Sequence, residues 1–421
     1  VKGHALSVAF FYVGLFCYLK RIQDPDLKPN NLKFCIMITD QLIFRNNQWS
    51  GFESLKVPGN EYQLLLVFAQ KSLLADPALL EKLSAHFPQA QIVSSSTAGE
   101  IIGNESIEDA VLVVAMKMEH TPIKVVYQNL RSAENSYELG VSLAKSLKKE
   151  NLSYVMIISD GHEVNGSDLL NGIKSHLGET LPMSGGMAGD GNLFSSTLVG
   201  VNEDIKNGNV ALIGFYGNAM RVCIDVQRGF NYFGPERKVT RSDKNILYDI
   251  DGTNALELYK KYLGEYAAEL PSSALLFPVA ILNDNDEPLV RTILSINEED
   301  GSMVFAGNMP EGVIIRFMRS NLDQLIQKAE DASKQVTGCI EDPDLLLVMN
   351  CVGRKIILGQ RRGEEIEALA KSMHKDTLIA GFYTYGEFSS WEKPEKTCDL
   401  HNQTVVVTAL KENLRVPSTD Q

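Results

Sequence analysis

A chain of 421 residues is too long for one ordinary core, so two domains or a repeated α/β architecture are the sensible expectations. Hydrophobic content of 44% with 22% charged residues is that of a globular protein and leaves disorder to the ends. Forty basic against fifty-three acidic side chains give a net charge of −13, and the densest basic spots are only pairs (Lys20–Arg21, Lys148–Lys149, Arg361–Arg362), which argues against nucleic acid as a partner.

The amino end carries an apolar run from Ala5 to Leu19, closed by Lys20–Arg21. It is shorter than the roughly 20 residues that span a bilayer. A signal segment would need a cleavage site that does not follow. A membrane anchor and a true start at Met37 are the other readings, and whether residues 1–36 belong to the native protein stays open. Residues 1–59 are therefore set apart as an extension. The rest of the chain has no spanning segment. Cys17, Cys35, Cys223, Cys339, Cys351 and Cys398 contain no CxxC spacing and no ligand cluster for zinc, which predicts reduced thiols and a cytoplasmic location.

From residue 60 onward one pattern recurs: a short apolar strand, a helical stretch, a second strand ending in small residues and Gly-acid, then a third apolar strand. The first copy runs through Gln63-Leu-Leu-Leu-Val-Phe68, a helix from Pro77 to Phe87 with Asp76 as its N-cap, Gln91-Ile-Val-Ser-Ser-Ser-Thr-Ala-Gly-Glu100 and Ala110-Val-Leu-Val-Val-Ala-Met116. The second comprises Tyr154-Val-Met-Ile-Ile158, a helix from Gly166 to His176, Met183-Ser-Gly-Gly-Met-Ala-Gly-Asp190 and Val210-Ala-Leu-Ile-Gly-Phe215. On this pattern Glu100 and Asp190 occupy matching places. A fourth, irregular copy is placed at Ala274–Phe317, with its helix missing or displaced. The third lies at Leu345-Leu-Leu-Val-Met349, a charged helix from Gly363 to Met373, Leu378-Ile-Ala-Gly-Phe-Tyr-Thr-Tyr-Gly-Glu387 and Thr404-Val-Val-Val-Thr-Ala-Leu410. The expected fold is α/β: two domains, 60–220 and 221–412, built from β-α-β-β units whose sheets are covered by helices, with a tail at 413–421.

At Ser96-Thr-Ala-Gly-Glu-Ile101, Ser184-Gly-Gly-Met-Ala-Gly-Asp190, Leu247-Tyr-Asp-Ile-Asp-Gly252, Gly381-Phe-Tyr-Thr-Tyr-Gly-Glu387 and Leu400-His-Asn-Gln-Thr404 the sequence resembles the FIST family of sensory modules. The resemblance implies a bacterial signal-transduction protein with an N-terminal and a C-terminal FIST region. It further implies a small ligand, with amino acids suggested, and a separate partner. One branch is similar to haem proteins that sense nitric oxide through a histidine kinase or a cyclic-di-GMP enzyme.

Candidate site residues concentrate near the carboxyl end. Tyr383, Tyr385 and Glu387 alternate and would share one strand face, the phenols framing a ligand amine held by Glu387. The alternative is two core tyrosines and a turn glutamate. Arg354 follows a strand at its carboxyl end, suited to a carboxylate or a haem propionate, with an internal salt bridge to Glu387 or Glu365 as the competing account. His401 and Asn402 precede the last strand and offer an imidazole for haem iron or a hydrogen-bonding pair, against a purely structural turn. Asp249-Ile-Asp-Gly imitates a phosphatase motif without the later metal ligands, and no nucleophile elbow or phosphate loop is present, so the chain reads as a non-enzyme that binds no metal.

Overall fold

The computed structural model describes residues 37–282, 288–390 and 397–413, so the apolar run at 5–19 lies outside the described residues, as do 414–421. Among the described residues no helix is long and apolar enough to cross a membrane.

The α/β class holds: helices and mixed sheets alternate along the chain. Each of three units has the same internal ladder. In the first, strand Leu64–Ala69 runs parallel to Gln91–Ser96 on one side and antiparallel to Val111–Lys117 on the other. In the second, Leu152–Ser159 lies between Met183–Met187 and Asn209–Tyr216 in the same senses. In the third, Leu345–Cys351 lies between Leu378–Thr384 and Val405–Glu412. An outer strand completes each sheet: Ile38–Arg45, Ile123–Asn129 and Met220–Gln227 respectively. The central strands are apolar without alternation because both their faces are buried, and Leu64–Ala69 has no exposed position. The crossover after Leu64–Ala69 starts as predicted: Asp76 accepts the Ala78 N–H at 3.0 Å, and Pro77 takes the first helical position.

The fourth copy is a misreading. Its strands belong to an eight-stranded sheet formed by residues 230–320, every pair of which is antiparallel, and its helix is Ala255–Leu263, packed on that sheet. Short apolar strands look alike in either kind of sheet, and only a parallel pair marks the unit. This sheet is inserted in the third unit between its outer strand Met220–Gln227 and the helix Leu322–Cys339.

The hairpin that follows the second strand of each unit leaves its own sheet and extends a neighbour's. Glu100–Ile102 with Glu105–Ile107 joins the third unit's sheet, Val199–Val201 with Asp204–Lys206 joins the first, and Glu387–Ser390 with Cys398–His401 joins the second. Three crossing points close the ring in the same way. Ala98 donates its N–H to the Tyr383 carbonyl at 3.0 Å, Tyr385 to Met187 at 3.2 Å and Gly189 to Ser96 at 2.9 Å. The inner faces of the three sheets share one core, in which Phe68 stacks on Phe382 at 4.3 Å, while helices cover the outer faces.

Candidate functional site

Because the chain changes sheets at Tyr385–Gly386, the predicted common face of Tyr383, Tyr385 and Glu387 does not form. Tyr383 ends one sheet, fully buried, with Lys355 Nζ 5.3 Å from its ring centre. Tyr385 sits at the crossing, where its hydroxyl donates to Asp190 Oδ1, accepts the Phe194 N–H at 3.2 Å, and its ring stacks on Phe194 at 4.6 Å. Glu387 opens the next sheet, and both its oxygens are taken: Oε1 by the Thr384 hydroxyl at 2.5 Å, Oε2 by the Thr404 hydroxyl at 2.8 Å.

Arg354 lies in the helix Val352–Leu358 at the end of strand Leu345–Cys351, with no exposed surface. Its guanidinium meets Glu365 Oε1 at 2.6 Å and donates to the Leu325 carbonyl at 2.9 Å, while Asn350 donates to the other Glu365 oxygen at 2.8 Å. Of the two accounts of Arg354, the structure places it in the salt bridge to Glu365. His401 is enclosed in its hairpin, Nε2 3.3 Å from the Ser389 carbonyl. Burial, then the charges of Arg228 and Arg291, hold its imidazole well below the ordinary histidine range. Asn402 is buried and its amide has no hydrogen-bond partner among the described residues. Asp249 and Asp251 of the phosphatase-like motif pair with Arg241 and Arg237 at a turn.

An open cavity of about 410 Å³ lies elsewhere, at the carboxyl end of the first unit's parallel strands. That is where open α/β sheets gather ligands. Lys71 and Ser72, from the turn after Leu64–Ala69, form one wall. Thr97–Glu100 and Asp109 form another, Asp190–Leu193 of the second unit a third, and Lys355 of the third unit closes it. Lys355 Nζ donates to the Ala98 carbonyl at 2.6 Å and pairs with Glu108 at 2.9 Å. Gly99 has φ +124°, which favours glycine, and a Cβ there would also sit close to Lys355 Nζ, at 3.0 Å, and to the Ile107 carbonyl, at 3.2 Å.

The walls carry both signs of charge. Hydrogen bonding by Lys355 lowers the Glu108 carboxyl from its ordinary value. Burial pushes Asp190 up, but bonds from Ser196, Tyr385 and Ser195 outweigh it and hold the carboxylate low. Glu100 behaves otherwise: with no exposed surface, desolvation pushes it up to about 8, against the Thr97 hydroxyl and Lys355. Its Oε1 accepts from Thr97 at 2.6 Å, and its Oε2 has no partner among the described residues. The ladder also corrects the pairing of Glu100 with Asp190. Glu100 pairs across to Phe382, Glu387 to Gly186 and Val199 to Ser95, so Val199 is the second unit's counterpart, and residues 190–197 are an inserted loop that carries Asp190 to the cavity.

Family models match this architecture over nearly its whole extent: FIST N domain over residues 63–253 and FIST C domain over 255–390. The chain belongs to the FIST family. FIST domains mark sensory proteins of signal transduction. An uncharacterised protein of Methanocaldococcus jannaschii is 20% identical over 323 residues, which cover 70% of this chain and 61% of the relative's length. The present chain thus spans less than two thirds of that relative. For the haem that one FIST branch implies, His401 as placed does not fit an axial ligand. Its Nε2 faces a carbonyl of its own hairpin, and His401 is not among the residues that line the cavity.

Reasoning from sequence missed Lys71, Lys355 and the open oxygen of Glu100. The first two were within reach: Lys71 follows a parallel strand just as Arg354 does, and the rule that drew attention to one end of one unit applies to every unit.

Proposed function

We propose that this FIST protein senses a small polar metabolite carrying both an amino and an acidic group, an amino acid being the simplest, in the cavity at the end of the first unit. The supporting observation is a recess of about 410 Å³ whose walls hold Lys71 and Lys355 beside Asp109 and Asp190. A cavity of this volume suits a small ligand. Lys71, half-buried and bonded to the Ser196 hydroxyl, is the anchor for the ligand's acid, and the carboxylates face its amine. Tyr385 contributes through Asp190, not by direct contact.

Because the walls come from three units joined by exchanged hairpins, a ligand bridging them favours one relative arrangement of those units, and only such a preference signals. The readout belongs to a separate partner, a histidine kinase or a cyclic-di-GMP enzyme being the classes that the resemblance suggests. Nothing in this reading asks the protein to transform its ligand. Calorimetry against a metabolite panel is expected to find a binder whose affinity falls about tenfold or more in Lys71→Ala, the loss of one charge-assisted bond. A panel without a binder, or a binder indifferent to Lys71, refutes the assignment.

A further inference from the structure

We propose that Glu100 is the residue that selects the ligand, through the oxygen that Ala110 leaves open, and that it selects a primary amine over the corresponding hydroxyl. The inference rests on the cavity being the sensory site.

Two units of the chain place a glutamate in the same position. Glu100 and Glu387 each open an exchanged hairpin, and each accepts the hydroxyl of the threonine three residues earlier, Thr97 at 2.6 Å and Thr384 at 2.5 Å. Their second oxygens differ. Thr404 closes Glu387 Oε2 with its hydroxyl at 2.8 Å. Thr404 also accepts the Cys351 N–H on its carbonyl at 3.0 Å, and in the first unit Ala110 accepts the Gln70 N–H at 3.2 Å in the matching position. Alanine has no hydroxyl to offer. Oε2 of Glu100 is left without a partner among the described residues, on a fully buried residue that lines the cavity. A buried carboxyl oxygen without a hydrogen bond is a standing cost, and a ligand group that pairs with it removes that cost.

The surroundings set the class of donor. Glu108 and Asp109 face Glu100 from the stretch before strand Val111–Lys117, Lys355 faces it from the third unit, and Asp190 lines the same recess. Lys355 is already engaged by Glu108 and the Ala98 carbonyl, so the remaining field favours a cation. Burial keeps Glu100 protonated at neutral pH, since its proton leaves only near pH 8. Seating an ammonium against it therefore expels that proton to solvent: a neutral carboxyl and an ammonium become a carboxylate–ammonium pair, and the buffer takes up a proton. A hydroxyl makes no such pair.

The test uses the full chain, with the standard L-amino acids and their 2-hydroxy acid counterparts as the probes. For the amino acid that binds, the hydroxy acid is expected to bind about tenfold more weakly or worse, and binding enthalpy is expected to vary with the ionisation enthalpy of the buffer as a proton is released. Ala110→Thr is expected to cap Glu100 as Thr404 caps Glu387 and lower amino acid affinity at least about tenfold. Ala110→Ser supplies the same hydroxyl with one methyl fewer, should the threonine not fit. Glu100→Gln is expected to bring the two ligand classes within a few fold of each other and to abolish proton release. If Glu100→Gln retains both the preference and the proton release, Glu100 is not the selector, although a continued loss in Lys71→Ala would leave the cavity as the site. If no amino acid binds the unaltered protein, both assignments fall together.

Discussion

Arg354 and Glu365 meet with neither side chain exposed, and each is held by further hydrogen bonds, from Arg354 to the Leu325 carbonyl and from Asn350 to Glu365. Removing one partner of such a pair strands a charge in the interior. Arg354→Met is accordingly expected to destabilise the fold by about 3–5 kcal/mol, and adding Glu365→Leu to recover most of that loss, as denaturant midpoints would show. Recovery would separate a structural arginine from one that contacts ligand, because a ligand-binding arginine has no reason to be rescued by its own internal partner. Glu387 carries a second consequence at this scale. Its folded value is raised to about 8 by desolvation, against its hydrogen bonds from Thr384 and Thr404. The folded protein holds that proton more tightly than the unfolded chain, so the stabilisation is complete below the ordinary glutamate range and is lost as pH rises toward 8. Glu387→Gln should flatten the fall of stability between about pH 5 and 8, measured by urea melts across that window.

The elements owe their close packing to a few small residues. Gly381 lies in the strand Leu378–Thr384, where a Cβ would stand 2.0 Å from the Val348 carbonyl of the neighbouring parallel strand. Alanine there forces the strands apart, and a loss of about 3 kcal/mol or more, or failure to fold, is the expected outcome in thermal melts. The exchanged hairpins obey a different logic. Each is short and pairs through backbone groups, which any sequence of extended residues supplies, so its partner sheet cannot be read from the residues themselves. That is why the alternation of Tyr383, Tyr385 and Glu387 predicted a common face: a strand period is meaningful only while the chain stays in one sheet.

Among the described residues three units close a ring in which each lends a hairpin to the next and all share one core. The family's N and C regions meet between residues 253 and 255, within the inserted antiparallel sheet, yet the hairpin Glu100–Ile107 pairs with a strand of the C region and Met183–Met187 is paired by one as well. Chains divided at that point expose unpaired strand edges on both pieces. Expressed alone, each half is expected to aggregate, and expressed together they are expected to yield a soluble complex on size exclusion. Two independently monodisperse halves would contradict the ring.

The apolar runs, their spacing and the breaks between them were enough to determine three strand–helix–strand units, because a strand buried on both faces must be apolar throughout and a crossover helix needs a minimum length, while the family resemblance was carried by motifs such as Gly381-Phe-Tyr-Thr-Tyr-Gly-Glu387. They also brought Arg354, Tyr385 and Glu387 into view, and named Glu365 as a partner for the first. What tertiary structure alone decided was where the open chemistry lies. Arg354 and Glu387 are closed by Glu365 and Thr404, while the matching end of the first unit, with Ala110 for Thr404, is left unfilled. Whether a polar atom is satisfied depends on residues that the chain brings together across 11 positions for Arg354 and Glu365, 17 for Glu387 and Thr404 and 257 for Lys355 and Ala98, and burial makes that difference large.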